Sequence, residues 1–284
     1  MIVIISSKKE LQALLERERE SRKTIGLVPT MGALHDGHLS LVKQAIARYD
    51  VCVVSIFVNP RQFNNPNDLE TYPRQPEKDV ALLDSVGCHY VFMPSVEEIY
   101  DGSGVERTFD FGAIGRVMEG VQRPGHFEGV ALIVSKLFEL VAPDGAFFGE
   151  KDFQQIAIVR SMVEQCGFKL SIIAVPIVRE ESGLALSSRN QRLTEETRPS
   201  APRIYQTLRA SLEQKAKGMT PKEVIEWVTK ELNAIPYLEV EYYAIVDAVS
   251  LQPLESWEDS KDPVGCIACY CGDVRLIDNI HYTK

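Results

Sequence analysis

Two histidines three positions apart, His35 and His38, are the residues whose types and spacing point most directly to chemistry. They lie in the segment PTMGALHDGH at residues 29–38. Gly32 and Gly37 in this segment lack a Cβ atom, so a large ligand can approach the backbone closely. A neutral imidazole can donate a hydrogen bond to a phosphate oxygen and strengthen that bond as negative charge develops. The segment therefore indicates a site for a phosphate-bearing ligand.

Other interpretations of this histidine pair remain open. An H-x-x-H pair also occurs in metal sites, although the sequence shows no evident third ligand of such a site. A single histidine at the beginning of a helix is often only a cap or a surface group. The combination of a strand, two glycines and two histidines favours phosphate binding over both.

The residues around the histidines predict the elements that position them. An apolar run at 25–28 precedes the segment, and apolar residues recur at helical spacing after His38, which together predict strand, turn and helix. The first backbone N–H groups of a helix lack partners within the helix and stabilise an anion. We therefore expect the ligand at the point where this strand passes into the helix.

Strands and helices alternate through the first 178 residues. The run VCVVSIFV at 51–58 is almost continuously apolar, as in a parallel strand buried on both faces, and it ends in the polar loop 59–63. Further strands are predicted at 89–93, 106–111, 145–148 and 170–178. Helices are predicted at 8–20, with a capping box from Ser7 and Glu10, at 38–48, at 76–86 with Asp79 outward, at 128–140 and at 153–166. The alternation predicts an α/β fold with a Rossmann-like, doubly wound parallel sheet.

The pattern changes after a polar loop at 179–190. Two helices are predicted, at about 194–217 and after Pro221, and then strands at 239–246, 264–271 and 274–280 without helices between them. This order predicts a smaller C-terminal α+β domain. We therefore expect two domains, 1–177 and 178–284.

Composition narrows the class of protein further. The formal net charge is −9, and no basic patch is evident, so a nucleic-acid partner is not expected. No apolar run is long enough to span a bilayer, and the N-terminus does not resemble a signal peptide. We therefore expect a cytoplasmic protein without a membrane partner.

Three cysteines near the C-terminus, Cys266, Cys269 and Cys271, have a spacing that resembles a metal site. They lie in a predicted strand, where Cys266 and Cys269 point to opposite faces. Buried, reduced thiols are therefore the better interpretation, and no metal ligand is assigned.

Three further loops carry polar residues suited to an anionic substrate. Lys151 is a point cation at a strand-to-helix turn, although taken alone it could be a solvated surface lysine. Ser187, Ser188 and Arg189 offer hydroxyls and a guanidinium to phosphate oxygens, but the same residues could cap helices in a linker. Gln62 and Gln155 can each donate and accept, and could bind a carboxylate and a hydroxyl of one small substrate, although isolated glutamines are usually surface residues.

The sequence closely resembles the pantoate–β-alanine ligases of the nucleotidylyltransferase superfamily. The resemblance rests on blocks that follow the family's order over nearly the whole chain: PTMGALHDGH at 29–38, FVNP at 57–60 with Gln62 and Phe63, YPR at 72–74, RPGHF at 123–127, GEKDFQQ at 149–155, GLALSSRN at 183–190 and RLIDN at 275–279. Two flanking positions differ: Ser182 stands where the family usually has Asp, and Glu128 where Arg is common. These differences affect local loop packing rather than the reaction.

The resemblance implies ATP-dependent condensation of (R)-pantoate with β-alanine through a pantoyl-adenylate, with AMP and diphosphate released and Mg²⁺ assisting. It implies that Gln62 and Gln155 bind pantoate, that His38 is the proton donor, and that the enzyme is a homodimer. Together with the chemistry above, the catalytic residues are predicted to be His35, His38 and Lys151. The resemblance further implies that ATP is bound by Met31, Gly32, Ala33, Leu34, His35, Asp36, Gly37, His38, Gly149, Glu150, Lys151, Asp152, Val178, Leu186, Ser187, Ser188 and Arg189.

Two other functions share part of this pattern. A nucleotidyltransferase that joins AMP or CMP to a phosphorylated substrate can also carry H-x-G-H, but it has no evident use for Gln62 and Gln155. A nucleotide-binding sensor would explain the glycine turn but not the many polar groups expected at one edge of the sheet.

Overall fold

The structure is a computed structural model that describes residues 2–102 and 107–283. Strands and helices alternate in the first part of the chain. The strands there are β1 (Val3–Ile5), β2 (Ile25–Thr30), β3 (Val51–Ile56), β4 (Tyr90–Phe92), β5 (Gly145–Gly149) and β6 (Ser171–Val175). The helices there are α1 (Lys8–Glu20), α2 (Asp36–Arg48), α3 (Pro66–Glu70), α4 (Pro76–Ser85), α5 (Val96–Ile99), α6 (Glu119–Gln122), α7 (His126–Val141) and α8 (Phe153–Cys166). The C-terminal part contains α9 (Arg203–Ala216), α10 (Pro221–Asn233), β7 (Leu238–Asp247), β8 (Pro263–Cys271) and β9 (Val274–His281).

Two sheets organise these elements. The first six strands form a parallel sheet in the order β1-β4-β3-β2-β5-β6. The last three strands form an antiparallel sheet in the order β7-β8-β9. The predicted fold class, a Rossmann-like parallel sheet with a smaller C-terminal α+β part, is confirmed.

The parallel sheet has a switch point between β2 and β5. From β2 the chain adds β3 and β4 on one side, and β5 and β6 then extend the sheet on the other. Ligands of such sheets bind outside the carboxyl ends of the strands where the direction reverses. Because β2 ends at Thr30 and β5 ends at Gly149, the topology directs a ligand to the loops that follow these two residues.

The chain forms two compact units. The first comprises Met1–Phe111, Arg123–Glu150 and Gln155–Pro176, and the second comprises Gly112–Gln122, Lys151–Gln154 and Ile177–Lys284. The second unit therefore includes two short segments that precede its main part in the sequence. The assignment of separate functions to 1–177 and 178–284 stays a prediction.

Each unit has its own apolar core. In the first, α2 packs on the parallel sheet, and Val28, Val54 and Phe147 are fully buried beside it. In the second, α9 and α10 pack on the antiparallel sheet, with Leu208, Val228 and Ile267 buried between them. Burial of side chains from both faces of β3 explains its nearly continuous apolar sequence.

The predicted cap of α1 is wrong. Ser7 occupies the N-cap position, but its side chain makes no capping hydrogen bond. The N–H of Lys8 instead donates to Glu98 Oε1 at 2.6 Å. A side chain distant in sequence, Glu98, thus accepts from an N–H group at the start of α1, where the local pattern predicted hydrogen bonds between Ser7 and Glu10.

Two other element predictions differ from the structure. Residues 107–111 form no strand, and Glu106 lies outside the described residues. The helix predicted from residue 194 begins only at Arg203. Side chains of Thr194 and Thr197 accept from each other's backbone N–H at 3.2 and 3.0 Å, which favours turns over a helix.

All six cysteines lie among the described residues and are free thiols, five of them buried. The interpretation of Cys266, Cys269 and Cys271 as buried thiols is therefore confirmed. In the ranges 2–102 and 107–283, none of the helices combines the length and apolar character that a membrane crossing requires.

Candidate active site

The histidine turn, residues 31–38, joins β2 to α2 by two consecutive left-handed residues. Gly32 has φ +79° and Ala33 has φ +50°. Glycine adopts this conformation without penalty, whereas Ala33 is strained and must be held by its surroundings. Thr30 Oγ1 accepts from Gly32 N at 3.2 Å and donates to Ser55 O at 2.7 Å, which ties the start of the turn to β3.

A buried carboxylate holds the middle of the turn. Asp79 on α4 is 1% exposed. Its Oδ2 accepts from Ala33 N at 2.9 Å and its Oδ1 from Leu34 N at 2.7 Å. Burial raises the pKa of Asp79, while the two backbone donors act in the opposite direction. The prediction that Asp79 points outward is wrong, because its carboxylate satisfies two N–H groups of a turn 45 residues earlier.

The two imidazoles lie side by side at the N-terminus of α2. Their ring centroids are 4.1 Å apart with the planes tilted by 42°. His35 is the N-cap residue, and its Nδ1 accepts from Gly37 N at 3.1 Å. A neutral imidazole that accepts at Nδ1 carries its proton on Nε2, so His35 is oriented as an Nε2–H donor.

Gln62 reaches the same turn from the loop after β3. Gln62 is 8% exposed. Its Nε2 donates to Met31 Sδ at 3.1 Å, and its Oε1 accepts from Asn59 Nδ2 at 3.2 Å. The structure therefore brings together Gln62 and the histidine turn, two segments that the sequence analysis assigned to one site.

Buried polar residues that the sequence analysis did not single out fix the loop around Gln62. Asn59 is fully buried, donates to Gly129 O at 3.0 Å and accepts from Tyr100 OH at 2.7 Å. His126 Nδ1 lies 2.8 Å from Gln62 O. The motif RPGHF contains His126, but its sequence alone does not reveal that α7 begins against this loop.

The turn after β5 adds Gly149 and Glu150 to the first unit. The strands β5 and β2 are neighbours in the sheet, so both turns leave the same edge. Gln155 follows on α8 and is half-buried. Its neighbour Gln154 is buried and bonded through both side-chain atoms to backbone groups of 114–119. Gln155, and not Gln154, is therefore the glutamine suited to a ligand.

The other predicted ATP-binding residues belong to the second unit. Lys151 Nζ lies 3.6 Å from Asp152 Oδ2. Leu186 N donates to Val178 O at 3.0 Å, which closes the loop that precedes Ser187. Ser187 caps a 3-10 helix, Ser188–Arg192, through a bond from Arg189 N to its Oγ at 3.2 Å.

Each unit thus groups its own share of the predicted residues. In the first unit these are the histidine turn, Gln62, Gly149, Glu150 and Gln155, and in the second they are Lys151, Asp152, Val178 and 186–189. Binding of one ligand by both sets stays a prediction.

The parallel sheet and its switch point define a class of α/β proteins that bind ligands at the carboxyl edge of the sheet. Comparison with known proteins identifies the member of that class. The family model for pantoate-beta-alanine ligase matches residues 3–281. The chain therefore belongs to the pantoate-beta-alanine ligase family, and it is an enzyme of the kind that joins pantoate to β-alanine.

Individual relatives agree over the full length. Pantothenate synthetase of Porphyromonas gingivalis strain ATCC 33277 is 57% identical over 279 residues, which cover 98% of this chain and 99% of that protein. The crystal structure of pantothenate synthetase from Thermus thermophilus is 43% identical, with a TM-score of 0.92 and complete coverage of both chains. Pantoate-beta-alanine ligase from Francisella tularensis, complexed with beta-gamma ATP and beta-alanine, is 36% identical with a TM-score of 0.83, covering 100% of this chain and 99% of that one.

Proposed function

We propose that this chain catalyses the ATP-dependent condensation of (R)-pantoate with β-alanine to pantothenate, AMP and diphosphate through a pantoyl-adenylate. The observation that carries the proposal is the histidine turn at the switch point, with the Gln62 amide against Met31. The Francisella relative, complexed with beta-gamma ATP and beta-alanine, supports ATP and β-alanine as ligands of this chain.

In the first half-reaction, a carboxylate oxygen of pantoate attacks the α-phosphorus of ATP. The bond from that phosphorus to the bridging oxygen breaks, and diphosphate leaves with the electron pair. Charge on the phosphate oxygens grows as this happens, so hydrogen-bond donors and cations aimed at them lower the barrier. We assign His35, His38 and Lys151 to this role, with Ser187, Ser188 and Arg189 binding the phosphates.

Gln62 is suited to hold pantoate. Its Nε2 donates to the Met31 thioether, which is a weak acceptor. A carboxylate or hydroxyl oxygen of pantoate is a stronger acceptor, so exchange of partners favours substrate binding. We propose that Gln155, half-buried on α8, supplies the second amide to the same substrate.

In the second half-reaction, the amine of β-alanine attacks the pantoyl carbonyl, the bond from that carbon to the AMP oxygen breaks, and AMP leaves while the nitrogen gives up a proton. The reaction needs no covalent enzyme intermediate. Holding the adenylate and the amine next to each other supplies much of the acceleration. The family resemblance assigns proton donation to His38.

We also propose that Mg²⁺ enters with ATP, and that its charge offsets that of the phosphates. Across residues 2–102 and 107–283, no three His, Cys, Asp or Glu side chains converge as a metal site. Mg²⁺ usually keeps several waters and binds largely through substrate phosphates, so a bound nucleotide would bring most of its ligands.

A homodimer and a cytoplasmic location are part of the proposal. The dimer follows from the family resemblance. The location is consistent with six cysteines that remain free thiols, as a reducing compartment keeps them.

Exchange of labelled diphosphate into ATP tests the first half-reaction. We expect exchange to require pantoate and not β-alanine, and to fall by about 100-fold or more in His38→Ala and Lys151→Ala, because donors to developing charge are worth that much. Product analysis with all three substrates should give AMP in equal amount to pantothenate. Exchange that does not depend on pantoate, or a product that retains the nucleotide, would contradict the proposal and favour a nucleotidyltransferase. Nucleotide binding without turnover would favour a sensor.

A further inference from the structure

The motif RLIDN at 275–279 matches the family, yet nothing in the sequence assigns it a role. In the structure it forms most of β9. Arg275 is half-buried, whereas Asp278 and Asn279 are each only 5% exposed. Burying polar side chains costs free energy unless they are bonded, so their partners indicate what the strand does.

Asn279 holds the turn that carries Lys151. Its Nδ2 donates to Lys151 O at 3.3 Å. Two residues further along the same face of β9, the His281 ring packs edge-on against Phe153, with centroids 5.8 Å apart. One side chain of β9 therefore bonds the backbone at Lys151, and a second packs on the side chain of Phe153.

Asp278 holds a different segment of the same unit. Its Oδ2 and Oδ1 accept from Arg179 NH1 and NH2 at 2.6 and 2.8 Å, a bidentate pair with both side chains largely buried. Burial raises the pKa of Asp278, while Arg179 and the nearby charge of Lys151 act in the opposite direction.

Arg179 in turn organises the loop that leads to Ser187. Its NH1 also donates to Gly183 O at 3.2 Å, and its guanidinium lies 3.5 Å from the centroid of the Tyr205 ring. Its backbone pairs with Ala185 in an antiparallel bridge. Ser187 follows Ala185 by two residues, so the contacts of Arg179 tether the loop close to the serines.

We propose that Asp278 and Asn279 are positioning residues that hold the Lys151 turn and the 183–189 loop at two adjacent points of one strand. The inference rests on the proposed roles of Lys151 and of Ser187 to Arg189 in binding ATP. Displacement of a reacting group by about 1 Å can cost 100-fold in rate, so rigid backing of these two segments has a direct effect on adenylation.

The central test is Asn279→Ala, which removes the donor to Lys151 O without leaving a buried charge. We expect kcat of diphosphate exchange to fall about 10- to 100-fold, with the KM for pantoate unchanged. Asn233→Ala is the control, because Asn233 lies in the same unit and accepts from Val240 N at 2.8 Å, a residue that belongs to neither the Lys151 turn nor the 183–189 loop. The kcat of diphosphate exchange in Asn233→Ala should stay within about twofold of that of the parent. Thermal unfolding should show that both variants are folded.

A double-mutant cycle separates positioning of Lys151 from general damage. If Asn279 acts through Lys151, Asn279→Ala should add little to the loss already caused by Lys151→Ala. An equal loss in both backgrounds, or normal kcat in Asn279→Ala while Lys151→Ala is impaired, would overturn the inference but leave the proposed function. Near-normal exchange in Lys151→Ala would remove the proposed role itself, and the inference with it. If exchange in Lys151→Ala is too slow to measure, the comparison of Asn279→Ala with Asn233→Ala decides.

Hydrogen exchange tests the second contact. Asp278→Asn should speed amide exchange at 179–189 because it weakens the bidentate bond to Arg179, whereas Asn279→Ala should leave that segment protected. Equal protection of 179–189 in parent and Asp278→Asn would show that Asp278 does not hold the loop.

Discussion

At the scale of single residues, the carboxylate of Asp79 maintains the shape of the histidine turn. The turn needs two left-handed residues, and only one of them is glycine. A Cβ at Gly32 would lie 3.0 Å from both Asp79 Oδ2 and Ile56 Cγ2, so the turn is also tightly enclosed. The turn is thus held by bonds to α4 rather than by local preference.

Asp79→Ala should destabilise the protein by about 2–4 kcal/mol. Two buried N–H groups lose their acceptor, which costs roughly 1–3 kcal/mol for each group. Part of this cost is offset because the variant no longer buries a carboxylate. Chemical denaturation measures the change. Asp84→Ala on the same helix removes one exposed bond, from Ile2 N at 2.9 Å, and should cost only about 0.5–1 kcal/mol. Equal losses in the two variants would mean that the bonds to Ala33 and Leu34 contribute little.

Gln62→Ala should mainly weaken pantoate binding. Loss of a hydrogen bond to a charged group costs roughly 1.5–3 kcal/mol, which corresponds to an increase of about 10- to 100-fold in the KM for pantoate. Steady-state exchange at varied pantoate, with ATP saturating, measures it. An unchanged KM would show that this amide does not contact the substrate.

At the scale of elements, the close approach of α7 to the loop 59–63 determines where Gln62 lies. A Cβ at Gly129 would meet Arg61 O at 2.2 Å and Gln62 Cα at 2.7 Å. Both are backbone atoms, which cannot move away by a change of rotamer. The helix and the loop can therefore touch only if this position is glycine.

Gly129→Ala should displace the loop, raise the KM for pantoate and lower stability by about 1–3 kcal/mol, as overpacking does. Glu128→Ala is the control, since residue 128 is exposed on the same turn of α7. Kinetics with varied pantoate and a thermal melt compare the two variants. A Gly129→Ala enzyme with the parent's KM would refute this account of how Gln62 is placed.

Hydrogen bonds in the connection from β7 to β8 predict how the stability of the protein depends on pH. Asp247 accepts from Ser250 N at 2.7 Å and from Ser260 Oγ at 2.6 Å, and these bonds lower the pKa of Asp247 to about 2. The pKa of Asp247 in the folded protein lies below its ordinary value of 3.8. The charged carboxylate therefore stabilises the fold at pH values above 3.8, and this stabilisation is lost as pH falls towards 2.

Asp247→Asn should therefore be less stable than the parent at pH 7, and the difference should shrink between about pH 4 and pH 2. Urea denaturation at a series of pH values measures this difference. Val249→Ala, at a position that is 84% exposed, should show no such trend. A difference that is constant with pH would rule out the bonded carboxylate as its source.

At the scale of the whole molecule, two segments that lie early in the sequence belong to the second unit. Within that unit, Arg275 on β9 donates to Glu119 Oε2 and Oε1 at 2.9 and 2.7 Å and also bonds Glu241. Tyr242 OH donates to Glu119 Oε1 at 2.9 Å. The antiparallel sheet therefore depends on a carboxylate from α6, far from it in sequence.

Glu119→Gln should reduce hydrogen-exchange protection in 112–122 and in β7, β8 and β9, and leave β2 and β3 protected. We expect the free energy of unfolding to fall by about 1–3 kcal/mol. This is less than for a buried ion pair that is broken completely, because Glu241 still bonds Arg275. Glu139→Gln tests an exposed pair with Arg107 and should cost about 0–1 kcal/mol. Uniform loss of protection in both units would contradict a role confined to the second.

The alternation of apolar runs and helical periodicity was sufficient to predict the fold class, because strands buried on both faces carry that pattern wherever they lie in a sheet. The same local signal predicts the sequence positions of the histidine turn and of the C-terminal strands. The local pattern was not sufficient to predict the burial of Asp79, the hydrogen bonds at the start of α1 or the first residue of α9. In the first two cases a partner more than 40 residues away satisfies the backbone.

By itself, the sequence determined most of the strands and long helices, the residue types suited to phosphate chemistry, and the family. The tertiary structure decided the strand order and hence the switch point, the burial of Asp79 and Asn59 behind the site, and the partners of RLIDN. These features depend on contacts between segments distant in the chain. Periodicity and spacing report only which face of an element is apolar, and so they cannot reveal which distant group a buried polar atom will meet.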